Sequence, residues 1–176
     1  MSKKPWIIIL SVLLLLSLSF ACGKSKTEKK DKKKAKAATT AETAFMKKNA
    51  REYEDIKAAV DMTVYEPGYL PSGLEIQRSI KIKSSSANPA YYEVDYSKGL
   101  TISGSSKADY KTDAEFIGEF DIAGRHVSEY SYKNNSKSYQ LLWRANGSTY
   151  IISLNTSEGI TKDEAKKIFE SMKSVQ

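Results

Sequence analysis

Apolar side chains recur along residues 42–62 with the spacing of an amphipathic helix. Phe45, Tyr53, Ile56 and Val60 fall on one face at about 100° per residue, and most charged residues of the segment lie on other faces. The mixture of both charge signs favours packing on a sheet over lying in a membrane interface. The pattern predicts a helix over 42–62 whose apolar stripe packs on a sheet.

From residue 74 onward, apolar and polar residues alternate in short runs, which is the period of half-buried strands. The predicted strand segments are 74–76 with 80–82, 92–96, 116–122, 127–132, 139–143 and 150–154. Turn signals lie at 97–99, 123–124, 134–135 and 146–147, and the Asn-Gly pair at 146–147 is a strong type I′ hairpin signal. Such short connections leave no room for crossover helices, so the sheet is predicted to be antiparallel.

A second helix is predicted near the C-terminus. Thr161 and Glu164 have the spacing of a capping box, in which each side chain bonds the backbone of the other residue. The apolar residues that follow share one helix face: Ala165, Ile168, Phe169 and Met172. The predicted fold class is α+β, a curled antiparallel sheet of about six or seven strands with an N-terminal helix and a C-terminal helix packed on it.

The first residues have the order of a secretory signal peptide. Two lysines and then an apolar stretch over 6–21, which ends in the small residue Ala21, lead to Cys22. A membrane-spanning helix is the alternative, but 6–21 would cover roughly 24 Å as a helix, against a hydrocarbon core of ~30 Å. A cleaved signal peptide over 1–21 is therefore predicted.

Residues 18–22, Leu-Ser-Phe-Ala-Cys, resemble the lipobox of bacterial lipoproteins. In that family the cysteine thiol receives a diacylglyceryl group and the chain is cut before it, so the resemblance implies cleavage between Ala21 and Cys22 and lipidation of Cys22. The sequence departs from the family pattern at Ser19, where leucine is usual, with Leu18 one place too early. An ordinary secreted protein with a reactive free thiol is the alternative. Two acyl chains would contribute on the order of 20 kcal/mol of membrane binding, so we expect a lipid anchor on the extracytoplasmic face of the cell membrane.

The net charge of +7 is concentrated before the predicted domain. Residues 24–36 hold eight lysines against two acidic residues, and the chain beyond them is nearly neutral. A nucleic-acid partner is not supported, because phosphate binding needs a basic cluster on the domain itself. Residues 22–40 contain no large apolar side chain after the cysteine and are predicted to form a disordered linker that carries the lipidated Cys22, followed by a single α+β domain over 41–176.

The linker lysines have two interpretations, contact with anionic lipid headgroups or a charged spacer that only keeps the segment soluble. The lysines predicted to contact the membrane surface are Lys24, Lys26, Lys29, Lys30, Lys32, Lys33, Lys34 and Lys36.

Three motifs in the predicted domain carry a further resemblance. Residues 65–74 are Tyr-Glu-Pro-Gly-Tyr-Leu-Pro-Ser-Gly-Leu and residues 142–150 are Leu-Trp-Arg-Ala-Asn-Gly-Ser-Thr-Tyr, with Ile-Ala-Gly at 122–124 between them. Over roughly 64–173 the chain resembles a bacterial domain of unknown function that occurs mainly in secreted, lipid-anchored or membrane-attached proteins of Gram-positive bacteria. Its architecture also resembles, more distantly, lipoprotein-carrier and envelope-stress-regulator domains, whose curved sheet and helices hold acyl chains.

Three aromatic residues form the candidate binding surface, namely Tyr65, Tyr69 and Trp143. The two tyrosines either pack against the sheet or line a ligand groove, and Trp143, next to the Asn-Gly turn, belongs either to the core or to the same surface.

Catalytic and metal-binding patterns are absent from the sequence. His126 is the only histidine, no nucleophile-elbow motif accompanies it, and the single cysteine excludes an intramolecular disulfide. The acidic stretch of Asp109, Asp113, Glu115 and Glu119 lacks the ligand spacing of a calcium loop and is interpreted as a solvated face. We therefore expect no enzyme activity, no cofactor and no metal.

Three functions follow from these patterns. The first is a membrane-anchored surface lipoprotein whose non-catalytic binding or scaffold domain contacts an envelope protein. The second is a carrier or sensor of a hydrophobic ligand with acyl chains held between sheet and helices, which requires an open apolar groove. The third is an envelope hydrolase that uses His126, which requires a clustered polar pocket around that residue.

Overall fold

The structure is a computed structural model that describes the backbone of residues 27–109, 112–132 and 135–176. Side chains are described from residue 41 onward, apart from 110–111 and 133–136. The chain divides into two units, 1–39 and 40–176, and the architecture below is that of the second unit. Within the described part of the chain, no helix is both long enough and apolar enough to cross a membrane.

Two helices and nine strands make up the described backbone. The helices are α1 (Thr27–Ala59) and α2 (Lys162–Glu170), and a short 3-10 helix spans Thr156–Glu158. The strands are β1 (Tyr65–Pro67), β2 (Ile76–Ile82), β3 (Tyr91–Tyr96), β4 (Leu100–Ser105), β5 (Glu115–Ile122), β6 (Arg125–Tyr132), β7 (Asn135–Ala145), β8 (Ser148–Asn155) and β9 (Met172–Ser174).

The main sheet has seven antiparallel strands in the order β2-β3-β4-β8-β7-β6-β5. A separate two-stranded sheet joins β1 to β9, which ties the start of the folded domain to its end. The predicted α+β class and the antiparallel sheet are confirmed. Because β5 and β2 are the last strands of the order, these two carry the open edges of the sheet.

α1 begins earlier than the apolar pattern indicated. The backbone is helical from Thr27, whereas composition predicted a disordered segment over 22–40. Lysine and alanine make up most of 28–38, and both have high intrinsic helix propensity, which favours a helical backbone even where no side chain joins a core. In the folded unit, α1 buries Tyr53, Ile56 and Val60, three of the residues predicted to face the sheet.

α2 forms as its capping pattern predicted. The Thr161 side chain accepts a bond from the Glu164 backbone N–H at 3.2 Å, and the Glu164 carboxylate accepts one from the Thr161 backbone N–H at 2.8 Å. Ala165, Ile168 and Phe169 are buried on the inner side of α2. The capping box therefore starts a helix that directs one apolar stripe onto the sheet.

Three hairpins of the sheet contain type I′ turns, because both central residues have positive φ. The turns are Lys98-Gly99, Ala123-Gly124 and Asn146-Gly147. These match three of the predicted turn signals. Residue 134 of the fourth signal lies outside the described residues.

Strand register places a row of large side chains across the face that the helices cover. Tyr92 lies opposite Gly104, which lies opposite Tyr150, and Tyr150 pairs with Trp143. A Cβ on Gly104 would come within 2.4 Å of the Tyr92 ring and 2.8 Å of the Tyr150 ring. Glycine is required at this position because the two tyrosine rings meet over its backbone.

The strand β4 was missed by the sequence pattern, as were the short strands β1 and β9. β4 carries only two large apolar residues, Leu100 and Ile102, before a Gly-Ser pair that is typical of turns. The tyrosines of neighbouring strands fill the space over Gly104, so the long-range packing determines this strand.

The opposite face of the sheet is partly covered by the segment between β4 and β5. The backbone carbonyl of Ala108 accepts bonds from Arg144 Nε at 2.9 Å and Thr149 Oγ1 at 3.2 Å. Beneath this segment Leu142 and Ile151, which are cross-strand partners, are buried on the outer face. Because the crossing segment bonds to β7 and β8, the outer face of β5 and β6 lies beyond it, next to the open edge of the sheet.

Candidate functional site

Trp143 belongs to the core. It is 1% exposed, stacks on Tyr150 at 5.1 Å between ring centroids, and meets Phe169 of α2 edge to face at 5.0 Å. Its indole Nε1 is buried, and no acceptor among the described residues bonds it. Trp143 was predicted as part of a binding surface, but it is buried instead, because α2 covers the tryptophan.

Tyr65 and Tyr69 differ in burial and in the residues that they contact. The Tyr65 ring is half-buried and packs edge to face on Tyr150 at 4.8 Å, with the Arg125 guanidinium 5.3 Å from its centroid. Tyr69 is 41% exposed, and its backbone N–H donates to Ser171 Oγ at 2.9 Å. The three predicted aromatic residues therefore do not form one surface.

The predicted anchor lies outside the described residues. Ala21, Cys22, Lys24 and Lys26 precede the first described residue. The side chains of the other predicted membrane-contacting lysines are also outside the described set, although their backbone belongs to α1: Lys29, Lys30, Lys32, Lys33, Lys34 and Lys36.

The interface between α1 and the sheet is filled by hydrogen-bonded tyrosines. Tyr96 Oη donates to Asn49 Oδ1 at 2.5 Å, and the hydroxyls of Tyr96 and Tyr53 are 3.2 Å apart. Tyr92 meets Tyr53 edge to face at 6.3 Å and hydrogen-bonds the backbone at residue 65. Burial raises the pKa of all three phenols, so they remain neutral packing groups with polar ends.

Two further tyrosines extend this packing across the sheet. Tyr150 Oη donates to the Thr63 carbonyl at 2.9 Å, and Tyr139 Oη donates to Glu129 Oε1 at 2.6 Å. Burial is the largest cause that raises the pKa of both hydroxyls. These side chains occupy the space between sheet and helices in which the carrier hypothesis requires acyl chains.

His126 lies on the exposed face of β6 between two carboxylates. Its Nδ1 is 3.1 Å from Asp121 Oδ1 and its Nε2 is 3.3 Å from Glu119 Oε2. The bond to Asp121 is the largest cause that raises the pKa of His126, and Glu119 adds to it. When it is protonated, the ring donates from Nδ1 to Asp121 and from Nε2 to Glu119.

The described residues contain no group of three or more His, Cys, Asp or Glu side chains arranged to hold a metal ion. The acidic residues singled out in the sequence, Asp109, Asp113, Glu115 and Glu119, all have exposed side chains. The acidic groups of β5 therefore face solvent.

An exposed apolar cluster accompanies these acidic groups at the end of β5 and β6. Phe116 is 54% exposed, Ile117 47% and Tyr132 37%, and Phe116 packs edge to face on Tyr130 at 5.8 Å. The surface made by these residues is called the edge patch and consists of Phe116, Ile117, Glu119, Asp121, Tyr130 and Tyr132. It combines exposed aromatic and aliphatic area with carboxylates beside the open edge of the sheet.

Sequence reasoning missed the apolar part of the edge patch. Its signal was the adjacent pair Phe116-Ile117, which breaks the alternation that one half-buried strand should have. The structure has a β-bulge between Phe116 and Gly118, and both side chains are exposed there.

No curated protein and no solved structure matches the chain. The family comparison gives a match over residues 64–172, close to the 64–173 region in which the sequence resembles a domain of unknown function. On that match, which covers more than half of the chain, the protein belongs to the family described as Domain of unknown function (DUF4367).

Proposed function

We propose that the protein is a lipid-anchored surface protein of the extracytoplasmic face of the cell membrane, and that its folded domain binds an envelope protein without catalysis. The observation that carries the binding function is the edge patch, where Phe116, Ile117 and Tyr132 are exposed beside an open strand edge. Single exposed apolar residues are ordinary on protein surfaces, but clustered ones next to a free edge are typical of interaction sites.

The anchor part of the proposal depends on Cys22 and on the resemblance of residues 18–22 to a lipobox. A diacylated cysteine holds a protein at a membrane effectively permanently. The concentration of positive charge in 24–36 supports an auxiliary contact of that segment with anionic headgroups. A nucleic-acid partner has no comparable support.

Two alternatives have less support from the described geometry. A carrier of acyl chains needs space between sheet and helices, where Tyr53, Tyr92, Tyr96, Tyr139 and Tyr150 are packed. A hydrolase needs His126 within a clustered polar pocket, whereas its side chain is 61% exposed on the outer face of β6 between two exposed carboxylates. A non-catalytic binding role needs neither an open space between sheet and helices nor a polar pocket at His126.

The anchor is tested by growing producing cells with an alkyne-bearing fatty acid. We expect label on the wild-type protein and none on Cys22→Ser, with Ser19→Leu as a control variant that should keep the label. Equal labelling of the wild-type and Cys22→Ser proteins would refute lipidation at Cys22.

The binding surface is tested by photo-crosslinking in intact cells. A photoreactive amino acid replaces Ile117 in the edge patch or, as the matched control, Ile82, which is 40% exposed on the opposite edge strand β2. We expect a discrete crosslinked product from position 117 that is absent at position 82. Products from position 82 alone, or from neither position, would contradict the assignment.

A further inference from the structure

The two edge strands of the sheet differ in how their charges are satisfied. On β2, Arg78 lies 2.6 Å from Asp95 and 3.1 Å from Glu93, and Lys81 lies 2.9 Å from Glu52 of α1. The cations of this edge are therefore neutralised within the domain. An incoming chain would gain little electrostatic energy there.

β5 has the opposite character. Glu115, Glu119 and Asp121 are exposed, and among the described residues His126 is the one cationic partner of the last two. At pH values above the pKa of His126 the edge carries uncompensated negative charge. A positively charged partner would supply the missing complement.

Side-chain alternation places these groups so that an added strand can contact them together. Glu119 and Asp121 are two residues apart, pair with Ser128 and His126 of β6, and project to the outer face. Phe116 lies on the same face, opposite Tyr130. Past the bulge at 116–118, Gly118 to Ile122 pair regularly with β6, so this part of β5 has an uninterrupted edge.

We propose that β5 accepts an extended basic segment of a partner protein as an eighth strand of the sheet. This inference rests on the proposed binding function and specifies the chemistry of its partner. Backbone hydrogen bonds along 118–122 would provide the pairing, as in other cases of strand addition. Lysine or arginine residues at alternate positions would lie against Glu119 and Asp121, and an apolar residue would cover Phe116 and Ile117.

A second copy of the chain fits this edge less well. Antiparallel pairing of β5 with β5 would bring the carboxylates of both copies together, which is destabilising. Pairing of β2 with β5 would bring cations to the acidic edge, but Arg78 and Lys81 are already bonded to acidic side chains. A basic segment from another protein meets neither obstacle.

The probe is a peptide of about eight residues with blocked termini, in which lysine alternates with valine. This length is sufficient for one strand. Binding to the full-length protein, in nanodiscs of zwitterionic lipid, is measured by fluorescence anisotropy. A peptide of equal charge with proline in place of two valines serves as the control, because proline cannot donate the ladder bonds. We expect the alternating peptide to bind and the proline peptide to bind at least about tenfold more weakly.

A charge-reversal pair tests the location. Glu119→Lys/Asp121→Lys should weaken binding of the alternating peptide by about tenfold or more. Asp61→Lys/Glu75→Lys makes the same charge change at exposed positions beside the β2 edge and should leave binding within about twofold of wild type. Amide chemical shifts should change along 118–122 and stay constant along β2.

Four results would overturn the proposal. Equal binding of the two peptides would mean attraction by charge alone, and equal loss in both double variants would place the site elsewhere. Self-association of the protein that Glu119→Lys/Asp121→Lys abolishes would assign the edge to a second copy. If no peptide binds while position 117 still crosslinks to a partner in cells, strand addition fails but the proposed binding function stands.

Discussion

Aromatic residues of the same types occupy two contrasting environments in this domain. On the helix-covered face, Tyr96 and Trp143 are almost completely buried, and the tyrosine hydroxyl has a hydrogen-bond partner. At the edge patch, Phe116 and Tyr132 are exposed beside carboxylates. The difference shows that aromatic content alone does not locate a binding surface. Sheet order and helix coverage decide which aromatic residues stabilise the fold and which are available to a partner.

The largest effect is expected for Trp143→Ala. Removal of a ring that packs on Tyr150 and Phe169 should lower the free energy of unfolding by about 3–5 kcal/mol. Phe116→Ala at the exposed edge should change it by no more than about 0.5 kcal/mol. Urea unfolding of both variants checks the contrast, and comparable losses would break it. Trp143→Phe should lose less than Trp143→Ala, because it keeps an aromatic ring in the core.

Gly104→Ala should be the next most damaging change. The new Cβ would lie 2.4 Å from the Tyr92 ring, and such overpacking costs about 1–3 kcal/mol of unfolding free energy. The matched control is Gly118→Ala on β5, where the nearest atom, Glu129 Oε2, is 3.5 Å away. Thermal unfolding should separate the two variants. A neutral Gly104→Ala would mean that the tyrosine row can move apart.

Deletion of a single hydroxyl gives a smaller contrast. Tyr96→Phe leaves the buried Asn49 side chain without the bond that Tyr96 donates, which should cost about 1–2 kcal/mol of unfolding free energy. Tyr132→Phe removes an exposed hydroxyl and should have an effect within about 0.5 kcal/mol. Chemical denaturation measures both, and equal losses would contradict the assignment of the first tyrosine to the core.

The smallest effect concerns the charge state of the edge. The pKa of His126 should lie above 6.5, and it should fall in Asp121→Asn because the largest cause of the shift is removed. A raised pKa in the folded state means that the ion pair stabilises the fold below the unfolded pKa, and that this contribution is lost as pH rises through the folded pKa. Titration of the imidazole signals by NMR gives both values. An unchanged pKa in Asp121→Asn would contradict the observed geometry.

Local patterns predicted the parts of the fold that neighbouring residues specify. The Thr161 and Glu164 cap and the Asn146-Gly147 turn follow from hydrogen-bonding and φ preferences over a few residues. The alternating runs likewise indicated an antiparallel sheet. These features require no knowledge of distant contacts.

The candidate site could not be obtained in the same way. Trp143 and Phe116 both lie on strands, and the periodicity of a strand does not show which face a helix covers or which strand is last in the sheet. Burial of Trp143 depends on Phe169, and exposure of Phe116 depends on the position of β5 at the edge. Both are consequences of strand order, which local alternation does not determine.

Hydrogen exchange of β5 in native membranes tests the central claim most directly. Amides of 118–122 should exchange more slowly in membranes from producing cells than in the purified full-length protein, whereas amides of β2 should exchange equally in both. Glu119→Lys/Asp121→Lys should remove the difference. Identical exchange of β5 in the two preparations, or protection of β2 instead, would contradict the account that the acidic and aromatic edge is where this protein holds its partner.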